Sequence, residues 1–208
     1  MEKKKINNNG YEYVDLNLPS GTLWATCNIG ASKPSESGLY FQWGDTQGYT
    51  KEQIGTGDEQ KKFAKDWSDY KMNPSRDGVT FTKYTSKGDI LEPEDDAAHI
   101  HMGGDWHIPT PNQIQELIDN TTSNFETVDG VRGMKFTANN EKSIFIPAAG
   151  AVWNGLVLNS GYTGTIWSSM LSESYVGNGQ HLYFNPGYVF LDSSCGRYIG
   201  RSVRGVIG

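Results

Sequence analysis

Glycine recurs so often in this chain, 25 times in 208 residues, that no apolar run grows long enough to supply the buried stripe of a helical bundle. A chain cut into pieces this short favours brief strands joined by turns. Hydrophobic residues make up 36% and aromatic residues 12%, which is enough for a core, and the length suits one domain.

Period and punctuation place the elements. Residues 1–10 are expected to form a flexible leader, with one domain spanning 11–208. Tyr11, Tyr13 and Leu16 predict a first strand, and Pro19-Ser20-Gly21 a turn. Thr22 to Ile29 predicts a second, buried strand, and Gly38 to Trp43 another aromatic segment. From about 47 to 87 periodicity is lost. This stretch is expected to be a long surface insertion pinned by Tyr49, Phe63, Trp67, Tyr70, Phe81 and Tyr84. Two helices are expected. One starts at Pro93, with acids in its first turn. The other is capped by Thr110, with Pro111 at its first position, Gln113 completing a capping box, and Ile114, Leu117 and Ile118 on one face. Short strands follow at 133–137, 143–147, 164–168, 180–185 and 202–207. The fold class is therefore α+β and loop-rich, with two helices and several short antiparallel strands.

Charge excludes some functions. Eighteen basic against 24 acidic residues give a net charge of −6, and the one basic run, Lys3-Lys4-Lys5, sits at a terminus. A phosphate-neutralising face is absent, so no nucleic-acid partner is expected. Nor does any stretch reach the length of a membrane span, so no membrane insertion is expected. The first residues carry charge without an apolar segment, and no signal peptide is expected. The localisation that follows is a virion or cell surface if a leader was removed, and otherwise cytoplasmic. Two cysteines, Cys27 and Cys195, make no disulfide framework.

The reactive side chains lack the spacing that chemistry would need. His99, His101 and His107 cluster, but Gly103-Gly104 breaks the spacing that converging imidazoles need. Glu92, Glu94, Asp95 and Asp96 lack the alternating pattern of a calcium loop and suit a helix start. No metal or cofactor is expected. Ser168 and Ser169 have no glycine elbow, and nothing in the sequence brings His181 to Cys195, so no enzyme is expected. The C-terminal stretch from His181 to Gly208 stands apart because it contains no Met, Trp, Lys, Gln or Glu. A codon AAC or AAT randomised at both adenines cannot encode those five residue types, so adenine-directed mutagenesis leaves such a footprint. Tyr188, Phe190 and Tyr198 supply rigid contact area there, and Ser193, Ser194 and Gly196 adaptable hydrogen bonding, as in a paratope.

The segments DLNLPSGTLWATCNIGAS, GLYFQWGD, DAAHIHMGGDWHIPT, IFIPAAG, IWSS, HLYFNPG and GRSVRG occur in one order along the chain. In this the sequence resembles the Fibrobacter succinogenes major paralogous domain family, over about residues 11–206. The resemblance implies a C-type-lectin-like fold of the formylglycine-generating-enzyme-like branch. It also implies a link to diversity-generating retroelements, whose variable proteins carry a mutable region at the C-terminal end of this fold, here about 168–204. Trp167, Ser168, Leu182, Tyr183, Phe184, Asn185, Arg197, Ser202, Val203 and Arg204 would then be framework. Ser172, Ser174, Tyr175, Gly177, Tyr188, Phe190, Leu191, Asp192, Ser193, Ser194, Cys195, Tyr198 and Ile199 would be the variable, ligand-facing positions. The chain departs from the family at His101-Met102, where Asn-Trp is common, at His107, where Arg is, and at Gly205, where Pro or Cys is. The paired cysteines of the enzymatic branch are missing, as are the sugar-binding lectin motifs. The function implied is a non-enzymatic binding protein that recognises a surface macromolecule of a cell or host. A fixed adhesive module of the same fold and a degenerate enzyme using Cys195 are the alternatives.

Overall fold

Capping and alternation decide most of the elements. In the computed structural model, which describes residues 5–6, 9–55 and 63–208, the chain forms β1 (Lys5–Ile6), β2 (Glu12–Asp15), β3 (Leu23–Ala25), β4 (Tyr40–Phe41) and α1 (Lys51–Ile54). Next come α2 (Ala97–Met102), α3 (Pro111–Asp119), β5 (Thr121–Val128), β6 (Val131–Ala138), β7 (Ser143–Pro147), β8 (Ala151–Trp153) and β9 (Leu156–Leu158). The last strands are β10 (Gly164–Leu171), β11 (Asn178–Asn185), β12 (Tyr188–Gly196), β13 (Arg201–Ser202) and β14 (Val206–Ile207). The protein is mixed α+β, mostly strands in several largely antiparallel sheets with few helices.

Helix α3 forms as its capping box predicts. The Thr110 hydroxyl accepts from the Gln113 amide, and the Gln113 side chain accepts from the Thr110 amide. Its apolar face buries Ile114 and Leu117 completely, worth roughly 2 kcal/mol each. The helix expected at Pro93 is displaced. Pro93–Asp95 makes a single 3-10 turn, and α2 starts only after Asp96, whose carboxylate accepts from the Ala98, His99 and Ile108 amides. A buried carboxylate holding three backbone donors is a stronger start than a proline with solvated acids.

A five-stranded sheet, in the order β12-β11-β10-β13-β4, organises the C-terminal half. Side chains alternate across it. Ile166, Leu182, Phe184, Val189 and Leu191 turn inward onto the cluster that contains Ile114 and Leu117. Thr165, Trp167, His181, Tyr183, Phe190 and Asp192 turn to the opposite face. Gly164 has no room for a side chain, since a Cβ there would meet the Phe184 ring at 1.9 Å. Beyond this sheet, β5-β6-β7 forms a three-stranded sheet, β8-β9 a hairpin, and β14 closes onto β3 beside β2 and β1.

Two arginines tie the C-terminus to distant segments. Arg204 is fully buried and donates to Asn28 Oδ1 and to the carbonyls of Ala25, Thr26 and Phe145 at 2.8–3.1 Å. Arg197 is also fully buried, lies 3.6 Å from the Phe81 ring centroid and donates to the Tyr84 carbonyl at 3.1 Å.

Two further expectations are corrected. The second strand is confined to Leu23–Ala25, because the Ile29 amide pairs with Val203 across a turn rather than continuing the ladder. By contrast, the described part of 47–87 is pinned by aromatics, as expected. Phe63, Tyr70, Phe81 and Tyr84 are all buried, and Tyr70, Phe81 and Tyr84 join Trp43 and Trp167 in the main aromatic core. Of the expected leader, Lys5–Ile6 pairs with Glu12 and Tyr13, and Asn9 donates to the Met102 carbonyl. The other leader residues 1–4 and 7–8 lie outside the described residues. No helix among the described residues is long and apolar enough to cross a membrane.

Candidate ligand-binding face and its polar floor

Strand β12 is the free edge of the five-stranded sheet, and its two faces differ in kind. Val189 and Leu191 pack inward, whereas Tyr188 is 70% and Phe190 44% exposed. The Phe190 ring leans on Tyr183 of β11, with centroids 5.1 Å apart. A two-residue hairpin sets this register. The Asn185 carboxamide oxygen accepts from the amides of Gly187 and Tyr188, so β12 leaves the turn with Tyr188 on the outer side. Further along, Ser193 and Ser194 together stand opposite Gln180, between the pairs His181↔Asp192 and Gly179↔Cys195. This β-bulge returns Cys195 to the same face as Asp192.

The floor beside Phe190 is polar and buried. His181 has no exposed surface and Arg201 only 3%. The His181 Nδ1 lies 3.4 Å from the Gly179 carbonyl, and Nε2 lies 3.6 Å from Asp192 Oδ2, with no hydrogen-bond partner of its own. Burial, and next the charge of Arg201, push the His181 pKa well below its ordinary value, so the imidazole is neutral and its contact with Asp192 is not an ion pair. Burial also lowers the pKa of Arg201, which the charges of Cys195 and Asp192 partly offset. Asp192 in turn accepts from the Ser194 amide and hydroxyl. One ligand atom each from His181, Asp192 and Cys195 falls within 4.8 Å of the other two. No residue pattern signals this meeting, because the bulge that creates it has no signature of its own.

The remaining positions expected to face a ligand divide. Ser174, Leu191 and Ser193 line a cavity of about 520 Å3 beside Thr110 and Gln180. Tyr198 is half-buried. It packs on Trp67 at 4.7 Å, accepts from Trp153 Nε1, and borders a groove of about 400 Å3 with Trp153, Leu156 and Leu158. Ile199 is half-buried and Ser194 exposed. Tyr175 is 43% exposed, but its hydroxyl is held by the Gly78 carbonyl. Two positions are corrected outright. Ser172 is 1% exposed and serves the turn by accepting from the Ser174 and Tyr175 amides. Gly177 is buried, with its carbonyl bonded to the Arg197 amide. Trp153, Leu156 and Leu158 went unnoticed in the sequence, because an exposed hydrophobic hairpin has the same composition as a buried one.

Comparison with family models, with curated proteins and with solved structures finds no match to this chain.

Proposed function

We propose that the chain is a non-enzymatic binding module of C-type-lectin-like fold, related to the Fibrobacter succinogenes major paralogous domain family. It recognises a surface macromolecule through the outer face of its C-terminal sheet. The observation that carries this reading is the contrast within β12, where aromatic side chains stand exposed on one face while the other face locks into the core. Exposed aromatics on a rigid strand offer contact area at little entropic cost, and Ser193, Ser194 and Asp192 add polar contacts around them. The expected framework residues Trp167, Leu182, Phe184, Arg197, Val203 and Arg204 are all buried, as a scaffold for a changing surface requires.

An enzyme using Cys195 is less well supported. A nucleophile–base–carboxylate relay uses both ring nitrogens, one toward the nucleophile and one toward the carboxylate. Here Nε2 faces Asp192, and Nδ1 faces a backbone carbonyl.

Sequencing many copies of the gene from its source population tests the proposal. Diversification predicts substitutions concentrated at codons for exposed positions such as 188, 190, 193 and 194, at template adenines, with 167, 197 and 204 constant. A uniform 3′ end would reduce the module to a fixed adhesin, and substitutions falling on the buried positions would overturn the reading.

A further inference from the structure

We propose that His181, Asp192 and Cys195 form a three-ligand site for a zinc-like divalent cation in the floor of the outer sheet face. The proposal rests on these side chains alone and is a property of this sequence, since Asp192 and Cys195 are among the positions expected to vary.

Geometry carries it. At 3.6 Å, His181 Nε2 and Asp192 Oδ2 are too far apart for a hydrogen bond. Two donors each about 2.1 Å from one tetrahedral ion stand roughly 3.4 Å apart, so the observed gap is the one a shared zinc ion spans. Nε2 is fully buried and lacks a partner, which is unfavourable unless something satisfies it. The ring faces the Gly179 carbonyl through Nδ1. That contact favours a proton on Nδ1, leaving a lone pair on Nε2 directed at a carboxylate. Two electron-rich atoms facing each other in a buried floor repel, and a cation between them turns repulsion into coordination. A backbone carbonyl behind the ring and the Ser194 amide on the other carboxylate oxygen of Asp192 are the supports that ligating imidazoles and carboxylates commonly have.

Donor chemistry selects the ion. One nitrogen, one thiolate sulfur and one carboxylate oxygen suit zinc or cobalt and do not suit calcium or magnesium. Arg201 is the buried cation facing the trio, set against Cys195 and Asp192. Its single positive charge is outweighed when a thiolate and a carboxylate both ligate, which leaves a net negative charge for a divalent ion. Asp192 and Cys195 are partly exposed, so the fourth position is open to water or to a donor atom of a bound partner.

Titrating the full-length, reduced protein with Co2+ tests the site. The expected result is a thiolate-to-cobalt charge-transfer band that saturates near one equivalent and is displaced by Zn2+. Cys195→Ser, a near-isosteric change at a half-buried position, should abolish the band while thermal unfolding stays cooperative. Asp192→Asn should weaken zinc binding about ten-fold or more, and Cys27→Ser should leave the band unchanged. No band at saturating cobalt with folded protein, or a band that survives Cys195→Ser or disappears with Cys27→Ser, would overturn the proposal.

Discussion

Strand β12 and the segment that follows it are neighbours in sequence and opposites in environment. From Tyr188 to Ser194 the outer side chains are aromatic and hydroxyl groups in contact with water, whereas Arg197, Arg201 and Arg204 are almost entirely buried. Hydrophobicity alone would have placed them the other way round. Two of these arginines have clear partners. Arg204 has carbonyl and carboxamide oxygens, while Arg197 has aromatic faces and a carbonyl. The comparison teaches that the cationic side chains form the scaffold here, and the apolar ones are left over for contact.

The harshest way to break this comparison is Arg204→Ala. It strands Asn28 Oδ1 and three carbonyls in the interior, at roughly 1–3 kcal/mol for each group left unsatisfied. The expected outcome is loss of cooperative folding, or a fall of about 4 kcal/mol or more in chemical denaturation. A loss under about 1 kcal/mol would mean that the segment is not scaffold.

A smaller effect comes from Tyr40, in β4 on the scaffold side. It is fully buried and donates to the Ala149 carbonyl at 2.7 Å. Burial pushes its pKa from 10.0 up to about 12. A folded pKa above the unfolded one means that its contribution is complete below about pH 10 and is lost as pH rises to about 12. The loss is on the order of 2–3 kcal/mol. Unfolding curves across that window should slope downward in the native protein. In Tyr40→Phe, which has no proton to lose there, the slope should flatten by that amount. Identical slopes would show that the phenol is not held neutral.

What could be read from the sequence follows from how local each cause is. The Thr110 capping box and the β7 and β11 strands rest on neighbouring residues, and they appear where expected. The start of α2 depends on Ile108 lying over Asp96, which is a tertiary contact, so the proline drew the expected start too early. The depth at which Phe81 is held has no local signal, because its partner Arg197 is remote in sequence. The pairing of Met102 with Gly205 also makes sense only in space. A Cβ on Gly205 would meet the Met102 sulfur at 2.6 Å, so the flexible methionine and the missing side chain occupy one position in the core. The meeting of His181 with Asp192 and Cys195 was invisible for the same reason, since one extra residue in β12 decides which side chains share a face.

Saturation mutagenesis of residues 164–204, displayed on cells and scored by resistance to proteolysis, measures the central contrast most directly. Positions 188, 190, 193 and 194 should accept nearly every residue with changes within about 0.5 kcal/mol, while 164, 167, 197 and 204 should accept almost none. Equal tolerance along both stretches, or a destabilising response at Tyr188 and Phe190 as large as at Trp167, would contradict a binding face carried on a fixed scaffold.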